Sequence, residues 1–164
     1  MGDSGGSVHP IISIREAGPD DLVVLTHLAL LAVDEQRDSR GGAVWSRREA
    51  RVDPATSLAD ALDTPRGSVF VGALDGEIVA YGVLALETLT DGGVLGRIED
   101  LFVAPQARGI GLGEALMAAI VESAEEAGCF GLDALVLPGN RATKNFFEAS
   151  GLTARAIVVH RSLG

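Results

Sequence analysis

The chain has 164 residues, a length that favours one domain, and 47% of them are apolar with a mean hydropathy of +0.28, too apolar for disorder. Thirteen basic against 23 acidic residues give a formal net charge of -10, which repels nucleic acid phosphates and leaves a cationic partner or mere solubility as the reason for the charge. The longest apolar stretch, Leu22 to Val33, is interrupted by Thr26 and His27 and falls short of the ~18 residues of a membrane span, so no membrane association is expected.

Cys129 is the single cysteine and excludes an intramolecular disulfide. With His9, His27 and His160 it forms no zinc spacing, so no metal is expected. Residues 1–10 read as a disordered Gly/Ser leader without a secretory or myristoylation signal, and residues 11–164 as one domain. No targeting address is visible, which makes the cytoplasm the expected location.

In chain order, Ile11 to Ala17 reads as a strand and Gly18-Pro19-Asp20 as a turn into a helix from Asp21 to Glu35, with Asp20 as its N-cap. Gln36 to Asp53 is polar and arginine-dense and reads as a loop with some helix. A short helix follows, capped by Thr56 or Ser57 and closed before Pro65. Strands at Ser68–Asp75 and Glu77–Leu89 meet at Asp75-Gly76, a strong hairpin signal. A turn at Thr90–Gly93 leads into a third strand, Val94–Val103. After a glycine-rich segment comes a helix to Ala127, then a strand from Leu132 to Pro138. A helix from Arg141 to Ser150 and a last strand over TARAIVVHRSL complete the chain. This order describes an α+β fold with one mixed sheet.

The segment Val103 to Ala124 carries glycines at alternate positions, Gly109, Gly111 and Gly113, where a strand gives way to a helix. A helix opening there presents unpaired N–H groups and the positive end of its dipole, and glycine lets an anion approach the backbone closely. Arg108 adds a cationic fork. The dinucleotide fingerprint and the P-loop both fail on spacing. The plain alternative is that the glycines serve only a tight turn.

Gln106-Ala107-Arg108-Gly109-Ile110-Gly111 resembles the pyrophosphate loop of the GCN5-related N-acetyltransferase (GNAT) family, and LVLPGNRATKNFFEASGL resembles the strand, loop and helix that follow it there. The resemblance implies the GNAT fold: a mixed, mostly antiparallel sheet flanked by helices and splayed between strands 4 and 5. It implies acetyl-CoA as the acyl donor. Pantetheine would lie on the backbone of Leu101, Phe102 and Val103, and the pyrophosphate on Gln106 and the amides of Arg108, Gly109, Ile110, Gly111, Leu112 and Gly113. Asn140 would touch pantetheine, and Phe147 would stand beside the thioester. Many members carry a tyrosine at the position of Phe147 that protonates the departing thiolate. Here the single tyrosine, Tyr81, is on another strand.

Acetyl transfer to nitrogen needs a base to take a proton from an ammonium. Strand alternation places Glu99 and Asp100 on opposite faces of the sheet, one toward the cleft. Polyamine acetyltransferases of the family carry a Glu-Asp pair at this offset whose glutamate relays the proton through water, a resemblance that implies Glu99 as the base. The alternative is a salt bridge to Arg97 or another arginine. Trp45, Arg47 and Arg48 fall in the region that caps the acceptor side in the family. Five arginines from Arg37 to Arg51 leave open whether the acceptor is cationic or carries a carboxylate. The expected function is acetyl-CoA-dependent N-acetyl transfer to a primary amine of a small molecule or peptide, in a homodimer. The alternative is a catalytically silent acyl-CoA-binding module.

Overall fold

The structure is a computed structural model and describes residues 9–163. Most of the expected leader therefore lies outside the described residues. Five strands form one sheet in the order β1-β2-β3-β4-β5, the same order as the chain. They are β1 (Ile12–Glu16), β2 (Gly67–Leu74), β3 (Glu77–Thr88), β4 (Val94–Val103) and β5 (Gly131–Ala134). The first four pair antiparallel and β5 joins β4 in parallel.

The Asp75-Gly76 hairpin forms as its residue types require. Both residues take positive φ, 50° and 86°, which matches the twist of the flanking strands. Asp75 also accepts a 2.8 Å hydrogen bond from the Ile11 amide through its side chain, tying the hairpin to the start of β1.

Three helices precede β2: α1 (Leu22–Arg37), α2 (Gly42–Arg48) and α3 (Pro54–Asp63). Two caps differ from the sequence expectation. A 3-10 turn, Pro19–Asp21, precedes α1, and Asp21 rather than Asp20 sits at the N-cap without capping through its side chain. Asp21 instead receives two hydrogen bonds from Arg15, at 2.7 and 2.8 Å. The cap of α3 is Asp53, whose carboxylate accepts from the backbone and hydroxyl of Thr56; Pro54 at the first helical position needs no N–H partner there.

Strand alternation assigns the layers. A Cβ on Gly82 would stand 2.9 Å from Ile120, so this face of β3 meets α4 (Leu112–Glu126). Tyr81 and Val83 point to the other face, under α1 and α3. Leu25, Leu28 and Leu58 fill the core on that side, and Leu112, Leu116 and Ile120 fill it on the α4 side. The last helix, α5 (Arg141–Ala149), lies against the start of α4 through Phe146.

The expected C-terminal strand does not form. Past Leu152 the chain has no regular structure through residue 163, and Ile157, Val158 and Val159 are all more than four-fifths exposed. Their β-branched composition favours a strand, but they pair with no strand, and β5, only four residues long, stays the edge of the sheet. One side-chain anchor holds this segment, Arg155 on Asp133 of β5.

Candidate active site

Two structural features bracket the end of β4. On one side β4 and β5 part. They pair only over Leu95–Ile98 and Gly131–Ala134, after which β4 runs on to Val103 with no strand on that edge. The Ala104 amide bonds back to Val79, so by alternation the peptide groups of Leu101 and Val103 face the opening wedge.

The wedge leads to the glycine segment, where the three alternate glycines do different work. Gly109 and Gly111 adopt positive φ, 79° and 94°, which any other residue would take at a cost. Gly111 is the N-cap of α4, and the first-turn amides of that helix point outward without backbone partners. Gly113 takes ordinary helical angles, but a Cβ there would stand 3.3 Å from the Phe146 ring. Its role is the close approach of α5.

Arg108 is not the free fork expected from its position. Its Nε donates to the Val103 carbonyl at 2.8 Å, and its guanidinium reaches both oxygens of Glu35 on α1, at 2.7 and 3.0 Å. It also lies over the Phe102 ring at 5.5 Å. The arginine is a strut between α1, β4 and the loop, and anion attraction is left to the backbone. Gln106 lies in the 3-10 turn before the loop and Ile110 is partly exposed between the two positive-φ glycines. Asn140 caps α5 by accepting from Thr143 at 3.0 Å. Phe147 is buried and packs edge-on against Phe146, with 5.4 Å between ring centroids and no hydroxyl on either ring.

On the other face, the β3–β4 register shifts. Val83 lies opposite Asp100 and Leu84 opposite Ile98, which leaves Glu99 as an extra residue. Such a bulge re-aims side chains. It overturns the expectation that Glu99 and Asp100 look to opposite faces, because simple alternation fails across an inserted residue. Both carboxylates instead bind Arg51, from the segment between α2 and α3: Nε to Asp100 at 2.6 Å and the guanidinium to Glu99 at 3.1 Å. Arg97 adds a contact to Glu99 at 3.3 Å.

The electrostatics follow from depth. Asp100 is deeply buried, and desolvation raises its pKa above the ordinary aspartate value although Arg51 pulls the other way. Burial also opposes the charge on Arg51, but its carboxylate neighbours outweigh burial and raise its pKa. Tyr81, next to this group on β3, is fully buried and its hydroxyl makes no hydrogen bond. Burial, then the negative charge of Asp100, pushes its pKa well above 10. Glu99 is a third exposed and lines a cleft of about 250 Å³ with Arg51, Ser57, Asp60, Thr64 and Arg66, closed below by Val83, Leu84 and Ala85.

Sequence reasoning did not single out Arg51. Of the arginines in its cluster it is the one that reaches the acids, while Arg37 pairs with Asp34 and Arg48 with Glu49. Cys129 is half-buried beside Gly96 and its thiol pKa is raised by burial, consistent with a packing role.

The family model described as "Acetyltransferase (GNAT) family" matches residues 29–152. Among curated proteins, the aminoglycoside N(6')-acetyltransferase type 1 of Stenotrophomonas maltophilia is 30% identical over 122 residues, covering 71% of this chain and 70% of that one. Among solved structures, a tetramutant of the BH1408 protein from Bacillus halodurans superposes with a TM-score of 0.79 at 23% identity, over 92% of this chain and 99% of that one. An aminoglycoside acetyltransferase from an uncultured soil metagenomic sample, in complex with sisomicin, gives a TM-score of 0.67 at 21% identity, over 93% and 95% of the two chains.

Proposed function

The chain belongs to the GNAT acetyltransferase family and is an N-acetyltransferase, and from that premise we propose that it transfers acetyl from acetyl-CoA to a primary amine of a small molecule or peptide by direct attack on the thioester. The observation that carries this reading is the end of β4, which offers a free backbone edge on one side and two carboxylates on the other.

The residues present fit acetyl-CoA. An extended chain finds hydrogen-bonding groups on the strand-free edge at Leu101 and at the Val103 amide, the Val103 carbonyl already accepting from Arg108. Beyond that edge, the outward amides of the Gly109–Gly113 turn and the α4 dipole suit a pyrophosphate. Phe146 and Phe147 make the wedge apolar, and the free amide nitrogen of Asn140 remains for a ligand carbonyl. When bound, acetyl-CoA supplies an activated acetyl group and a thiolate leaving group.

On the acceptor side Glu99 is the base. It lines the cleft, where an amine must lose its proton before its lone pair can attack, and the proton passes to the carboxylate directly or through water. Asp100 lies deeper and faces Arg51 and Tyr81. No hydroxyl at Phe147 protonates the departing thiolate, but the thiolate of a thiol with an ordinary pKa near ~8.5 leaves without much help.

The relatives named above put aminoglycosides first among acceptors to test, with polyamines and amino acids beside them. A CoA-release assay over such a panel decides the matter. Turnover of an amine supports the reading; acetyl-CoA binding without turnover of any member up to about pH 9 supports a silent acyl-CoA-binding module. We further read the protein as cytoplasmic and as a homodimer formed through the exposed C-terminal segment. Sedimentation at micromolar concentration as a monomer removes the dimer.

A further inference from the structure

We propose that Arg51 is a positioning residue for the acceptor chemistry: by bridging Glu99 and Asp100 it keeps both carboxylates ionised side by side, so that Glu99 is free of a proton when an ammonium arrives.

The argument starts from the bulge. An inserted residue in β4 puts two carboxylates next to each other on one face, one of them deeply buried. Two such acids do not ionise together; left alone they share a proton, and the pair titrates in two separated steps. A base that holds a proton at neutral pH cannot accept another. One guanidinium bound to both acids cancels the repulsion.

The surroundings assign this task to Arg51. Of the two acids Arg97 touches Glu99 alone, and it is half exposed and shared with Glu87 on β3 at 3.6 Å. Arg66, across the cleft, is committed to Thr88 and the Leu86 carbonyl. Asp60 on α3 adds further negative charge to the cleft. Tyr81 stays protonated, and its hydroxyl faces Asp100 without a hydrogen bond of normal geometry. Among the described residues Arg51 is the one cation bonded to both acids, and its side chain is 11% exposed. Its position also links two parts of the site. Val52, next to it, is almost fully exposed, while the arginine side chain reaches from the segment between α2 and α3 to the sheet. The segment that borders the acceptor cleft and the ionisation of the base are thus set by the same residue.

The test follows the side-chain carboxyls of Glu99 and Asp100 by NMR titration of the free protein, which needs no acceptor. In Arg51→Gln the midpoint of the pair rises by about one pH unit or more. In Arg51→Lys it stays near wild type. Arg51→Gln combined with Asp100→Asn removes the like charge, and Glu99 returns toward its wild-type titration. The double variant also serves if Arg51→Gln alone does not fold, because it carries no unpaired buried acid. Midpoints unchanged in Arg51→Gln, or a double variant in which Glu99 titrates as high as in the single one, overturn the proposal.

The inference rests on Glu99 being the base, and the two can fail separately. With sisomicin as the amine probe, an acid limb of kcat/KM that survives Glu99→Gln removes Glu99 as the base, while the titrations still report what Arg51 does.

Discussion

The two sides of β4 are built from different materials. The wedge toward β5 is made of backbone: a free strand edge, two positive-φ glycines and the amides of a helix start. The cleft toward α3 is made of side chains: Arg51, Glu99, Asp100 and Tyr81, held by charge and burial. A backbone site depends on conformation and tolerates changes in any side chain that does not intrude. A side-chain site depends on the identity of each group.

The contrast is broken most severely if one substitution damages both sides. Glu99→Gln is expected to lower turnover by about a hundredfold or more below pH 8, the usual range for a lost general base, and to leave acetyl-CoA affinity unchanged by calorimetry. A parallel loss of affinity joins the two halves. Gly111→Glu should do the opposite, weakening acetyl-CoA by more than tenfold, about 1.4 kcal/mol, by placing a side chain at φ 94° and a negative charge at the helix start. Carboxyl titration in that variant should match wild type.

Phe147→Tyr sharpens the comparison from the donor side. A phenol beside Phe146 can protonate the departing thiolate, and kcat should rise by less than about tenfold because that thiolate is already a fair leaving group. A fall in kcat instead means that the buried ring cannot carry a hydroxyl. The smallest catalytic effect is expected from Asp21→Asn, which removes a charge pair outside both halves. Arg15 holds the Asp21 pKa at about 2. A carboxylate so depressed stabilises the fold above its unfolded pKa, and this contribution is lost as pH falls from about 4 through 2. The variant should lose about 1–2 kcal/mol near neutral pH by denaturant titration, the deficit should vanish in acid, and kcat/KM should stay at wild type.

The same contrast explains what the sequence could tell. Backbone features leave local traces: alternate glycines mark the loop, Asp75-Gly76 marks the hairpin, and the strands on either side need only a few neighbours to be recognised. Side-chain features at long range do not. The bulge at Glu99 is a matter of register between two strands, and no residue in β4 announces it, so alternation put the two acids on opposite faces. Arg51 meets Glu99 across 48 residues, from a segment whose arginines look interchangeable in the sequence. Arg108 shows the limit within the loop itself. Its motif position was legible, but its pairing with Glu35, 73 residues away, was not. The C-terminal run from Ile157 to Val159 has the composition of a strand, yet composition does not by itself supply pairing, and the run stays exposed.

The sheet order follows the chain order, and this has a consequence for how the molecule assembles. β2, β3 and β4 form two successive hairpins with short turns, so their contacts close small loops and form early. β5 comes after the α4 crossover and adds only four paired residues, in the slower parallel arrangement. The meander that carries the acid pair can therefore assemble before β5 docks to create the wedge. In hydrogen exchange, amides of β3 and of β4 facing it should be the last to open, and those of β5 among the first.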